Sequence, residues 1–171
     1  MTRLPLIIPS IIASLTFAGS QAVAASSATD EMSSASFFVG TWNCTHSEDS
    51  GPAGSYTTTY TSVLGDRWLE QTYDFPATTT DPALRGDWFF GYDSRVKRWV
   101  RFGAMSDGLY FAMVGARTGD TWSWSYVLPK QSDAVATRYT KTSDSQYRVD
   151  GPSYPASGKM ITEHHLCTKA G

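Results

Sequence analysis

Apolar and polar residues alternate along most of this chain, and the alternation has a period of two, the pattern of strands with one face turned inward. Trp122, Trp124 and Tyr126 share one parity and Ser123 and Ser125 the other. Trp99, Arg101 and Gly103 alternate with Val100, Phe102 and Ala104, and Trp68, Glu70 and Thr72 with Leu69, Gln71 and Tyr73. No stretch sustains a helical period. The runs are rich in β-branched and aromatic residues, and turn-forming residues separate them about every ten positions. Ten strands are predicted: Phe37 to His46, Tyr56 to Val63, Arg67 to Asp74, Gly86 to Tyr92, Arg98 to Ala104, Leu109 to Ala116, Asp120 to Leu128, Val135 to Thr142, Gln146 to Asp150 and Lys159 to Lys169. Leu64-Gly65-Asp66, Ser106-Asp107-Gly108 and Thr118-Gly119-Asp120 are short enough for hairpins, whereas Ser47 to Ser55 and Phe75 to Arg85 read as longer connectors. Sequential hairpins favour an antiparallel meander, and closing it removes the edges that would pair with other chains. The expected fold is all-β, a closed antiparallel up-and-down barrel of eight to ten strands.

Composition narrows the functions open to such a barrel. The 171 residues carry 14 Lys+Arg against 16 Asp+Glu, a net charge of −2, with 18% charged residues. This is no basic footprint for a phosphate backbone, so nucleic acid is excluded as an expected partner. The 14 Gly and 8 Pro follow no repeat, which excludes collagen-like and low-complexity classes. Six Trp, nine Tyr and eight Phe are more than one strand layer needs, and they suit either a filled core or a ligand cavity.

The N-terminus reads as an export signal. Arg3 is the only charge before Asp30, Leu4 to Phe17 is mostly apolar, and Ala22-Val23-Ala24 supplies a small-x-small cleavage pattern. Residues 1–24 are expected to be a signal peptide, 25–36 a flexible Ser/Ala/Thr-rich arm and 37–171 the barrel domain. Pro5 and Pro9 interrupt the apolar run, so no integral membrane segment is expected in the mature chain, which is read as secreted or periplasmic.

The first predicted strand carries Phe38-Val39-Gly40-Thr41-Trp42, which resembles the Gly-x-Trp opening of calycin barrels, the superfamily of lipocalins and fatty-acid-binding proteins. Leu64-Gly65-Asp66-Arg67-Trp68-Leu69, and then Gly91-Tyr92-Asp93 with Arg98-Trp99-Val100-Arg101, are similar to the next hairpins of short secreted bacterial calycin-like domains of unassigned function. The resemblance implies a lipocalin-like barrel whose Trp42 plugs one end. More distantly the chain resembles nitrobindin, a ten-stranded haem barrel, but Cys44 and His46 stand where its small glycines would be.

Two cysteines in an exported chain are most simply one disulfide, and Cys44 and Cys167 lie on the first and last strands. In an even-stranded barrel those strands are neighbours, so the bond staples the closing seam. With Cys44 opposite Cys167 in an antiparallel ladder, His46 falls opposite His165 and Trp42 opposite Lys169. If Trp42 points inward, as the resemblance implies, both cysteines, His46 and His165 share the inner face and His164 stays outside. The histidine pair then has three open readings: rim residues, ligand or haem contacts, and a metal or catalytic site with Glu48 or Glu163 as a third zinc ligand.

No Gly-x-Ser-x-Gly elbow, phosphate loop, His-Glu-x-x-His or Cys-x-x-Cys is present. The leading expectation is an exported barrel that binds a small apolar or amphipathic molecule. Trp42, Trp68, Trp99 and Trp124 would form its walls, and Glu70, Arg101, Tyr126 and His165 would orient the ligand. Fatty-acid-binding relatives hold a carboxylate with interior Arg and Tyr, which Arg101 with Tyr60 or Tyr126 would reproduce. No cofactor is expected, with haem on His165 as the alternative. An enzyme using His46, His165 and Glu70, or a structural envelope protein with a filled core, are the other two readings.

Overall fold

The computed structural model describes residues 27–48, 51–78, 82–129, 136–153 and 161–171, so the expected signal peptide lies outside the described residues. Ten strands form one closed antiparallel barrel: β1 (Gly40–Glu48), β2 (Gly51–Val63), β3 (Trp68–Phe75), β4 (Leu84–Asp93), β5 (Arg98–Met105), β6 (Tyr110–Thr118), β7 (Thr121–Leu128), β8 (Thr137–Ser143), β9 (Gln146–Ser153) and β10 (Ile161–Lys169). Each pairs with its neighbours in sequence, and β1 closes on β10. The up-and-down order follows from the short turns, and closure gives every strand a neighbour on both sides, although the described β7–β8 ladder covers only Thr121–Trp124 of β7.

The seam has the register the cysteines require. Trp42 pairs with Lys169, Cys44 with Cys167, His46 with His165 and Glu48 with Glu163. Cys44 and Cys167 form the disulfide, with Cα atoms 4.0 Å apart and 123 residues between them in sequence. Both are buried, which puts the bond inside the barrel wall and not on its surface.

Two elements differ from expectation. Residues 25–36, read as a flexible arm, contain helix α1 (Ala28–Ala35), followed by a single 3-10 turn, Ser36–Phe38. The Ser27 hydroxyl accepts from the Asp30 amide while the Asp30 carboxylate accepts from the Ser27 amide, a capping box that satisfies two orphan donors. Ala35 and Phe38 then bury against the barrel, and Glu31 pairs with Arg117 at 3.2 Å. The second difference is at β2, which begins at Gly51, where a connector to Ser55 was expected. Its ladder with β1 continues past a register shift between His46 and Ser47 to Glu48 opposite Gly51. Gly and Pro in that stretch suggested a loop, but backbone pairing across the hairpin takes precedence over composition.

The helix and the 3-10 turn close one end of the barrel. Phe38 meets Tyr60, Trp122 and Tyr147 with ring centroids 5.0–5.3 Å apart. The indole of Trp42 donates to the Phe38 carbonyl at 2.7 Å and packs on Phe37 and Tyr147. Among Phe38, Phe90, Trp122 and Trp124 only about 10 Å³ remains empty. This end is a solid aromatic core.

Candidate functional site

The other end of the barrel is hollow. A cavity of about 520 Å³ opens between the walls formed by Tyr73, Phe75, Trp88, Phe111, Tyr126 and Tyr139. That is within the range of sites for small organic molecules. Trp88 and Phe111 stack across one wall at 5.5 Å and 9°, and Tyr73 stacks on Phe75 at 5.9 Å. Trp88 can lean inward because its cross-strand partner is Gly103: a Cβ there would fall 2.8 Å from the Trp88 ring and collide with the backbone of Asp87.

Arg101 forms the floor. Its side chain is 5% exposed, and its guanidinium lies over the Trp88 ring at 4.1 Å and the Tyr139 ring at 5.1 Å. Nη2 donates to Gln71 Oε1 at 3.1 Å and to the Tyr73 hydroxyl at 2.8 Å, Nη1 faces only the Met113 sulfur at 3.9 Å, and Nε has no partner. Gln71 is held by its amide, which donates to Tyr60 at 2.6 Å and Thr58 at 3.2 Å, and Tyr60 meets Tyr147 at 3.1 Å. The amide is therefore oriented with its oxygen toward the cation.

No carboxylate among the described residues lies within ion-pair distance of Arg101. The phenols around it do not substitute for one. Burial pushes Tyr56, Tyr60, Tyr139 and Tyr147 well above the ordinary tyrosine value, so all four stay neutral. Burial opposes the charge on Arg101, which nonetheless keeps its proton, with Gln71 Oε1, the Tyr73 hydroxyl and the faces of Trp88 and Tyr139 around it. The cation persists, desolvated and uncompensated. Tyr73 and Tyr139 add a further donor: their hydroxyls are 3.0 Å apart, and whichever gives the shared proton, one O–H of the pair is left without an acceptor in the network.

The mouth has a different character. His165 hydrogen-bonds Tyr56 through Nδ1 at 3.0 Å and Glu163 through Nε2 at 3.2 Å. With a carboxylate on Nε2, the neutral ring carries its proton there and Nδ1 accepts from the phenol. His46 stacks on His165 at 5.6 Å and 24°, and its Nδ1 is buried without a partner. Burial first, then the neighbouring His165, holds the His46 pKa below its ordinary value, against the pull of Glu163 and Glu48. Among the described residues no group of three or more His, Cys, Asp or Glu could hold a metal ion. Both nitrogens of His165 are engaged in hydrogen bonds.

Of the residues expected to form the site, Arg101, Tyr126 and His165 line the cavity. Trp42, Trp99 and Trp124 are buried in or beside the aromatic plug and are not part of its wall. Trp68 and Glu70, expected inside, lie on the outer face, and this is a correction. Leu69 and Gln71 are the buried residues of β3, while Trp68 spreads over Gly91 and meets Phe102 at 5.6 Å on the outside. The longer run from Trp68 to Phe75 shows why: Leu69, Gln71, Tyr73 and Phe75 form the more apolar set once Asp74 and Phe75 are counted. Tyr60 reaches Arg101 only through Gln71. Sequence reasoning missed Tyr73, Trp88 and Tyr139, of which Trp88 and Tyr139 were on strands whose inward parity was never assigned.

No family model matches the sequence and no curated protein is significantly similar to it. Two solved structures overlap with the chain in backbone. One is a redesigned β-barrel, 12% identical, covering 81% of this chain and 96% of that one at a TM-score of 0.49. The other is EF1p2_mFAP2b bound to DFHBI, 16% identical, covering 81% of this chain and 98% of that one at a TM-score of 0.32.

Proposed function

We propose that the protein binds a small amphipathic molecule inside a calycin-like barrel, with the ligand's anionic or strongly accepting end on Arg101 and its apolar body between Trp88, Phe111 and Phe75. The observation that carries this reading is the uncompensated guanidinium at the floor of an aromatic cavity. Burying a lone charge costs several kcal/mol as an order of magnitude, and a protein that only needed a filled core would place an apolar side chain there. A bound anion supplies the missing partner, and the free phenol proton of the Tyr73–Tyr139 pair gives it a second contact.

Export fits the same reading. The apolar leader ending in Ala22-Val23-Ala24 and the buried Cys44–Cys167 bond both suit an oxidising compartment, periplasmic or extracellular. N-terminal sequencing of protein recovered from the host should start at Ala25.

The decisive experiment is native mass spectrometry of protein purified from its own host, followed by denaturation and identification of what is released. A retained small molecule with an acidic or accepting group is expected. Protein that is empty as isolated and that retains no anionic amphiphile on incubation would overturn the reading.

A further inference from the structure

Resting on that reading, we infer that the ligand is a planar aromatic acid, a flat conjugated ring system carrying a carboxylate, and not a flexible alkyl acid. In the sheet Gly103 lies between Trp88 on one side and Phe111 on the other. With no side chain there to hold them apart, the two rings meet at 5.5 Å with 9° between their planes and form one flat wall. Tyr73 and Phe75, two residues apart on β3 and so on one face, form another at 5.9 Å and 16°. Tyr73 crosses Trp88 at 75°, so the two walls stand at about a right angle.

Both walls are fixed before a ligand arrives. The Tyr73 hydroxyl accepts from Arg101 at 2.8 Å, Phe75 stacks on Tyr56 at 4.4 Å, and Trp88 lies under the guanidinium at 4.1 Å. Trp88 is itself buried, while Tyr73, Phe75 and Phe111 are half-buried and border the cavity, so theirs are the ring surfaces a ligand meets. A flat ring laid on one wall turns its edge to the other, which gives offset stacking and an edge-to-face contact together. An alkyl chain gains only buried area there and loses rotor freedom on ordering, whereas a rigid ring has little freedom to lose. At the floor the groups that accept from the Arg101 guanidinium are neutral, Gln71 and Tyr73, and its Nε has no partner. A carboxylate on the ring completes the floor as the ring completes the walls.

The test is a calorimetric titration of the full mature chain with 2-naphthoate, its saturated counterpart decahydro-2-naphthoate, and decanoate. Naphthoate should bind about threefold or more tighter than either, as expected from one or two aromatic contacts. Replacing a wall ring by another apolar side chain, in F111L and separately in F75L, should bring naphthoate and decahydronaphthoate to within about twofold of each other. R101M should weaken all three acids alike and leave their ranking unchanged. A smaller advantage for naphthoate in the wild type, or one that survives both leucine variants, would overturn the inference and leave the cavity reading standing. Failure of all three acids to bind the wild-type chain would overturn both.

Discussion

The two ends of the barrel are built from the same residue classes and behave as opposites. At the closed end Phe38, Trp42, Trp122 and Tyr147 interlock edge to face, the space among Phe38, Phe90, Trp122 and Trp124 is only about 10 Å³, and the indole N–H groups of Trp99, Trp122 and Trp124 go without acceptors. At the open end Trp88, Phe111, Tyr73 and Phe75 stack along the walls and leave about 520 Å³ between them. Both ends leave indole N–H groups without acceptors, Trp88 at the open end included, but only the closed end gains contact area in return, which is what a structural plug requires. The open end forgoes contact area and keeps a buried charge that only neutral groups, Gln71 and Tyr73, meet among the described residues. Aromatic content alone therefore says little about function; what matters is whether the rings face one another or a space.

This contrast is most severely tested by Trp42→Ala, which should cost about 3–5 kcal/mol in chemical denaturation because the plug cannot collapse around the hole. Opening the seam by replacing both Cys44 and Cys167 with Ala should cost about 2–5 kcal/mol by the same measurement, since the bond restricts a long loop in the unfolded chain. Arg101→Met should do the reverse of the Trp42 change. Stability should stay within about 1 kcal/mol of wild type or rise, while affinity for an anionic amphiphile falls by about 2 kcal/mol or more in calorimetric titration.

A smaller effect is expected from His46. Its folded pKa lies below the ordinary value of 6.5, so above that pH both the folded and unfolded chains are neutral there and the full stability is present. As pH falls from 6.5 toward the lower folded value, the unfolded chain takes up the proton first and stability is lost, levelling off once the folded ring is charged too. Denaturation midpoints across this range should decline for the wild type and decline less for His46→Phe. Glu70→Gln should do least, changing stability by less than about 0.5 kcal/mol and leaving ligand affinity as it was, because the carboxylate is outside. A loss of affinity in that variant would contradict the observed register of β3.

The strands were legible because each is a local pattern: the Ser-separated Trp122, Trp124 and Tyr126 specify a face without reference to any other residue. The seam was legible for a different reason, since one covalent constraint between Cys44 and Cys167 sets every other pair in the ladder, His46 with His165 included. Helix α1 was hidden by Ser-rich composition, although Ser27 and Asp30 already had capping-box spacing. The face of β3 was misread because Trp68 is apolar on either side of a sheet. It covers Gly91 from outside, and nothing within Trp68-Leu69-Glu70 reveals a glycine more than twenty residues away.

What the sequence alone determined is therefore the all-β class, a strand count within eight to ten and the closing register, because alternation and a single disulfide are local or pairwise constraints. The tertiary structure decided which end is solid and which is hollow. That depends on how far each ring extends across the barrel, on Gly103 letting Trp88 lean over Arg101, and on Gln71 turning its oxygen to the guanidinium. Those are many-body packing outcomes, and no spacing along one strand encodes them. The charge of Arg101 is the clearest case, since a strand pattern places an arginine inside a barrel but only the assembled walls show that neutral groups, and no carboxylate among the described residues, come to meet it.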